Sequence, residues 1–458
     1  MNDAQLSRVK QVNVKKLFGI YDHAIELNLD DRVTIIHGPN GVGKTMVLKL
    51  IAALFSGRLA AFSRIPFQQF QVQLTDGRTI SLVKNAGASK TDKNRQSIKQ
   101  DSLQLTVAKK GEKSPHQVTL DFNQRSDNEW ARMLQIEAAW LERIDDDRWL
   151  DRRNGQFIST ADALVLYSDA LPATVRHRLA MPGEPDWFVP IRKQVNVHII
   201  ETQRLLRLAP TDSVGARRNG SSMIPTVRDY ARDLQRRVTE TLARYASESQ
   251  TLDQSFPQRL LRAPTTELSI DDIKARMAEL DKKRAQLKSI GLLDDNASYP
   301  FDTASLDNLD STQRSVMTLY VYDTARKLGV LDDLSRRVEL LRDNVNGKFR
   351  HKAIKFDREG GFTAIGDDGH PLDLDALSSG EQHELVLLYD LLFRVHPNTL
   401  VLIDEPELSL HVTWQKRFLP DLLEIVRTAQ FDALVATHSP FVVGSRHDLM
   451  VALAAEDE

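Results

Sequence analysis

Three short stretches of unbroken apolar character punctuate the chain: Val33-Thr34-Ile35-Ile36, Leu400-Val401-Leu402-Ile403 and Ala433-Leu434-Val435-Ala436. Runs of this length suit strands buried on both faces, as in a parallel sheet, where function gathers at the carboxyl ends. A fourth candidate, Val195–Ile200, ends in Glu201-Thr202-Gln203-Arg204. Elsewhere the pattern alternates. Val9–Asn13 and Ala24–Asn28 read as short strands, and Phe67–Val83 as a hairpin turning at Asp76-Gly77. Ser102–Phe122 reads as a second pair around Lys110-Gly111, and Lys352–Phe356 with Phe362–Ile365 as a third around Glu359-Gly360-Gly361. Asp127–Arg153 is helical in pattern, and Pro182–Pro190 reads as a connector. From Val227 to Val345 apolar residues recur at heptad-like spacing, interrupted by Pro257, Pro264 and Pro300. Prolines that break the pattern so often favour a compact helical lobe over long projecting arms.

The first apolar run leads into Gly38-Pro39-Asn40-Gly41-Val42-Gly43-Lys44-Thr45, and Met46–Leu54 beyond it suits a helix. Strand, glycine loop and helix together make the phosphate-binding arrangement G-x-x-x-x-G-K-[ST]. Glycines let the backbone curl so that several N–H groups face one anion, and the helix N-terminus adds partial positive charge. Gly38 to Thr45, with Met46, form the expected nucleotide cradle. Lys44 is expected to reach the β- and γ-phosphates, and the Thr45 hydroxyl to ligand Mg²⁺. Phe18 and Tyr21 are candidates to stack on adenine, with an ordinary core role as the alternative.

A second cluster lies far along the chain. Leu400–Ile403 ends in Asp404-Glu405. Asp404 is placed to hold Mg²⁺ and Glu405 to polarise the attacking water. Ala433–Thr437 ends in His438-Ser439-Pro440, with His438 the candidate contact to a γ-phosphate or that water. Leu377-Ser378-Ser379-Gly380-Glu381-Gln382 precedes a helical run, Glu381–Arg394, so Ser378, Ser379 and Gly380 form a second candidate anion site.

Composition narrows the partners. The formal net charge of −2 advertises no nucleic acid, and the most basic local stretch, Lys84–Lys113, is either a phosphate-backbone contact or a solvated loop tip. The absence of cysteine excludes disulfides, thiolate zinc sites and cysteine nucleophiles. No apolar run is long enough to span a bilayer and the N-terminus does not read as a signal peptide, so a cytoplasmic location is expected.

Together these words resemble the ATP-binding cassette ATPases, in the branch containing SMC proteins, RecF and the OLD-type ATPases. Gly38–Thr45 is similar to Walker A, Leu377–Gln382 to the LSGGQ signature with Ser379 where the first glycine usually stands, and Leu400–Glu405 to Walker B. Glu405-Pro406-Glu407-Leu408-Ser409-Leu410-His411 resembles the family's E-P-E-x-x-L-H stretch, whose tail acts as the D-loop. His438 resembles the switch histidine and Gln203 the Q-loop glutamine, a ligand of Mg²⁺ and γ-phosphate.

The resemblance implies an α/β fold, an ABC ATPase head assembled from both chain ends around an inserted helical or short coiled-coil lobe. Residues 1–204 and 349–458 are expected to form the two ATPase lobes and 205–348 the insertion. It further implies ATP and Mg²⁺ as ligands, and a head-to-head pair of copies in which Ser378–Gly380 of one completes the site of the other. The chain reaches Glu458 soon after the last expected strand, Leu449–Ala454, so a nuclease effector is expected on a separate chain. That arrangement resembles the stand-alone ATPases of bacterial anti-phage systems of the Septu and PARIS types. The alternative is a RecF- or SMC-like repair ATPase that binds DNA directly.

Overall fold

The computed structural model describes residues 7–59, 61–85, 90–91, 97–98, 102–109, 111, 114–121, 132, 135, 140–145, 148–152, 156–159, 163, 184–200, 205–208, 223–262, 267–294, 306, 309–408 and 410–453. The chain divides into two compact units, one of Met1–Ile224 with Phe393–Glu458 and one of Pro225–Leu392. Both chain ends therefore belong to the same unit.

The first unit is built on a five-stranded parallel sheet. Its strands are β1 (Val33–His37), β2 (Asn196–Ile200), β3 (Thr399–Asp404), β4 (Asp432–Thr437) and β5 (Met450–Ala452), in the spatial order β2-β3-β4-β1-β5. The apolar runs are the reason for their central place: β4 is buried throughout, and β1 and β3 are buried except for their last residue. Register carries the chemistry. Asp404 pairs with Ala436, and Thr437 with His37, so the chain leaves β1, β3 and β4 at one edge of the sheet. Helix α1 (Lys44–Phe55) follows β1 and buries Val47, Leu48, Leu50, Ile51 and Leu54.

An antiparallel sheet of six strands belongs to the same unit and includes Val9–Leu17, Tyr21–Glu26, Gln69–Leu74, Arg78–Asn85, Ser102–Lys109 and His116–Asp121. Its alternating side chains (Val12, Val14, Phe70, Val72, Ile80, Leu82, Leu103, Leu105) share one core with α1. One expectation fails here. Within the stretch read as helical, Leu141–Arg143 and Arg148–Asp151 are strands, paired antiparallel and continued by Gln156–Ser159. Trp149 and Asp151 are fully buried while Arg148 is exposed, a period of two that outweighs the helical spacing of the charges.

The second unit is dominated by α2 (Thr226–Leu261), 36 residues long. Pro257 does not end it, contrary to the sequence reading. Only about one turn of helix lies beyond that proline, so the interrupted hydrogen bond costs little continuity. The helices Ile270–Ser289, Ser311–Gly329 and Asp332–Asn346 complete the helical part. The hairpin Lys352–Asp357 and Gly361–Gly366 packs on α2, where the backbone of Gly361 lies against the carbonyl of Ala231 too closely for any Cβ. Helix α3 (Ser379–Tyr389), which begins in the signature stretch, belongs to this unit too. Compact packing thus divides the chain at 224/225 and 392/393 rather than at 204/205 and 348/349. The reason is visible in the contacts of α3: Tyr389 donates to Asp233 at 2.8 Å, Tyr230 of α2 donates to Asp390 at 2.9 Å, and the two tyrosine rings stack at 4.5 Å. Among the described residues no helix is long and apolar enough to cross a membrane.

Candidate nucleotide site

The loop between β1 and α1 is shaped by positions that only glycine fills easily. Gly43, at the N-cap of α1, has φ +93°, and a Cβ there would collide with the side chain of Leu17. A Cβ on Gly38 would stand 2.6 Å from the carbonyl oxygen of Leu453. Helix α1 has no side-chain cap and no acidic residue in its first turn, so its first N–H groups face outward without an internal anion. Lys44 is buried, and its Nζ donates to the carbonyls of Gly38 at 2.8 Å and Pro39 at 3.0 Å. Neutral carbonyls do not balance an ammonium charge, so the loop suits an anion.

The structure brings the distant acid to this loop. Thr45 Oγ1 donates to Asp404 Oδ1 at 3.0 Å across a separation of 359 residues. Burial pushes the Asp404 carboxyl up to about 6; the Thr45 hydrogen bond and Lys49 oppose this, while Glu405 and Glu407 add to it. A carboxylate held under such pressure is a ready ligand for a cation. A hydroxyl and a carboxylate are hard oxygen donors, and Mg²⁺ takes its remaining ligands from phosphates and water, so these residues fit a magnesium–nucleotide unit. Among the described residues no cluster of three acids or histidines offers a metal site built by protein alone.

Glu405 follows at the end of β3 with φ +44°, a left-handed conformation unusual outside glycine, and its N–H donates to Ala436 O at 2.8 Å. His438 leaves β4 beside it, with Nδ1 at 3.7 Å from Glu405 Oε1 and 3.1 Å from Glu407 Oε1. Lys44, Thr45, Asp404, Glu405 and His438 therefore all stand at one edge of the parallel sheet, and Gln203 lies outside the described residues. Ser378, Ser379 and Gly380 open α3 in the other unit. Ser378 and Glu381 form a capping box there, with Ser378 N donating to Glu381 Oε2 at 2.7 Å and Lys352 to the same oxygen at 2.9 Å. Burial works against the Glu381 carboxylate, yet these two donors hold it below the usual range. Of Lys84–Lys113, residues 86–89, 92–96, 99–101, 110, 112 and 113 lie outside the described residues.

Two residues that the sequence reading passed over support the site. His23 is buried, stacks on Tyr21 and places Nε2 2.7 Å from the carbonyl of Val42, bracing the phosphate loop from below. The signal was a histidine on the inward face of an alternating strand. Tyr21 is thereby occupied, whereas Phe18 is 39% exposed, with Cε2 3.3 Å from where a Gly43 Cβ would stand. Glu407, with no chemistry assigned from sequence, accepts hydrogen bonds from the loop that carries His438.

Residues 16–180 match a family model described as "AAA domain", and residues 242–444 one described as "AAA domain, putative AbiEii toxin, Type IV TA system". Both ends of the chain are therefore similar to AAA domains. It is 31% identical over 150 residues to the "Retron Ec83 probable ATPase" of Escherichia coli, which spans 26% of this chain and 27% of that protein. The chain thus matches only about a quarter of the length of that curated relative. Solved structures similar to it include the Smc head domain with an extended coiled coil derived from Pyrococcus furiosus (11% identity, TM-score 0.32, 97% of this chain and 93% of that one). The SMC head domain from Thermotoga maritima is similar at 12% identity and TM-score 0.32, over 97% and 94%. Likeness at that level is too loose to assign any detail.

Proposed function

We propose that this chain is an ATPase that binds and hydrolyses ATP with Mg²⁺, pairs with a second copy of itself around the nucleotide, and uses the cycle to control a separate effector, a nuclease, in bacterial anti-phage defence. The observation that carries the catalytic part is the 3.0 Å hydrogen bond from Thr45 to Asp404. It sets a loop that suits phosphate beside the carboxylate that a phosphate-bound metal requires. The similarity to a retron ATPase supports the defence role, as does the toxin–antitoxin wording of the family description.

In this reading the N–H groups of Gly41 to Thr45 and the Lys44 ammonium bind the phosphates. Thr45 Oγ1 and Asp404 would hold Mg²⁺, which supplies charge neutralisation and polarises the transferred phosphoryl group. Glu405 orients the attacking water and draws on its proton, and His438 holds the far side of the same water or the γ-phosphate. Phe18, exposed at the mouth of the loop, offers a face for the base. Ser378 to Gly380, at the start of α3, serve the phosphates bound by a second copy: Ser378 Oγ accepts within its own cap, and its hydroxyl proton stays available to donate.

The test is Lys44→Ala. It is expected to abolish ATP binding in calorimetric titration while the fold persists; wild-type affinity would end the nucleotide reading. Co-purification of the wild-type chain from its native host, followed by mass analysis, decides the effector. Hydrolysis stimulated by DNA with no co-purifying protein would favour the repair reading instead.

A further inference from the structure

Glu407 lies in the turn between β3 and α4 (Val412–Ala429), two residues beyond Glu405, and is 6% exposed. Its Oε1 accepts from Thr437 Oγ1 at 2.7 Å, from the backbone N–H of His438 at 3.0 Å and from that of Ser439 at 3.2 Å. The same oxygen lies 3.1 Å from His438 Nδ1. Its other oxygen has no hydrogen-bond partner among the described residues. Gln415 of α4 closes the arrangement from the far side: Nε2 donates to the carbonyls of Glu407 and Leu410, and Oε1 accepts from Ser439 Oγ at 3.0 Å. Burying a carboxylate is costly unless donors gather on it. Among the described residues every donor to Oε1 comes from residues 437–439, so the carboxylate is committed to one loop and one ring.

We propose that Glu407 is the positioning residue for His438: it fixes the ring in place and keeps a proton on Nδ1, leaving Nε2 as the nitrogen available to the nucleotide. The assignment deepens the ATPase reading and rests on it for its kinetic consequence. An ionised carboxylate only accepts hydrogen bonds, so the ring nitrogen facing it carries a proton whether the imidazole is neutral or charged. Glu405, at 3.7 Å from that nitrogen, is left to the water. The two glutamates of Glu405-Pro406-Glu407 thus divide the labour, one toward the reaction and one behind the histidine.

The variant that separates positioning from packing is Glu407→Gln. Its amide oxygen still accepts from Thr437 and from the two backbone N–H groups, so the turn keeps an acceptor while the charge behind the ring is lost. Proton–nitrogen correlation spectra of the imidazoles, without nucleotide, give the first readout, with His438→Ala identifying the signal. The wild-type ring is expected to carry its proton on Nδ1, Glu407→Gln to keep it there against the amide oxygen, and Glu407→Leu, which offers no acceptor, to lose that preference. A wild-type ring protonated on Nε2 alone would overturn the assignment, whatever the stability of either variant. Steady-state ATP hydrolysis gives the second readout. Glu407→Gln is expected to lower kcat roughly 10–100-fold, as when the carboxylate behind a functional histidine is removed, with KM little changed. On a His438→Ala background the same change should cost nothing further. An equal loss on both backgrounds would make Glu407 a packing residue. Were the wild type inert toward ATP, the ATPase reading would fall while the spectra still decided the role of Glu407.

Discussion

Asp404→Asn should make the nucleotide-free protein more stable, although it removes a residue central to the proposed chemistry. Asparagine keeps the shape and the oxygen that accepts from Thr45 Oγ1 at 3.0 Å, so only the charge changes. Burial pushes the Asp404 carboxyl up to about 6, from an ordinary value near 4. The gap is about two pH units, or ~3 kcal/mol at most, and about 1–2 kcal/mol after screening by solvent at the open strand end. The sign follows from linkage. A carboxyl whose folded-state value is raised contributes stability that is complete below its unfolded value, near pH 4, and is lost as pH rises through about 6. At pH 7–8 the wild type therefore bears the full cost and the asparagine variant none. At pH 5 about half of that cost has gone.

Thermal melting of the two proteins without metal or nucleotide, between pH 5 and pH 8, is the assay. For a unit of this size ~1 kcal/mol moves Tm by about 2–4 °C, so the variant should melt a few degrees higher at pH 8 and by about half that margin at pH 5. Adding magnesium and ATP should reverse the order. Ligand at about 100 times its Kd stabilises by ~2.7 kcal/mol, and the wild type alone should receive it. A variant that melts lower than the wild type at pH 8, or a margin that ignores pH, would refute the claim that Asp404 is an uncompensated charge awaiting a cation. Equal stabilisation of both by magnesium and ATP would remove Asp404 from the metal site.

Two further substitutions probe the cycle. Glu405→Gln leaves the half-buried side chain's shape intact and should trap an ATP-bound pair with turnover reduced at least ~100-fold, read by size-exclusion chromatography and phosphate release; normal turnover would deny Glu405 its role. Ser378→Arg removes the capping oxygen of α3, costing about 0.5–2 kcal/mol in Tm experiments, and should leave ATP affinity intact while abolishing ATP-dependent pairing; a variant that still pairs and turns over would refute the completion of each site by the other copy.

The parts of the site legible in the sequence were those fixed by backbone chemistry. A glycine loop between an apolar strand and a helix has few foldings, and parallel strands so uniformly buried have one place to go, the centre of a sheet. The meeting of Thr45 with Asp404 was expected from the glycine loop and the acid-ended strand as two holders of one metal, although the register that achieves it, Asp404 opposite Ala436 and Thr437 opposite His37, is a property of the pairing. What escaped was decided by tertiary context. The charges of Asp127–Arg153 keep a helical spacing, yet two buried tryptophans, Trp140 and Trp149, frame a stretch that forms strands. Pro257 ranks as a breaker in any local reading, but about one turn from the end of a 36-residue helix there is little left to break. The extent of the second compact unit has a related cause. The signature word is spelled like a nucleotide site, while the helix behind it is held to α2 by Tyr389, Asp233, Tyr230 and Asp390, four residues with no motif to announce them. Polar residues on buried faces are the common thread. Burial works against the Asp233 carboxylate, and hydrogen bonds from Arg237 and Tyr389 hold it below the usual range all the same. His23 beneath the phosphate loop and Glu407 behind His438 are likewise buried and hydrogen-bonded to backbone. A polar side chain at an inward position has to be satisfied by something, and around the candidate site that something is the backbone of the loops that carry Val42 and His438.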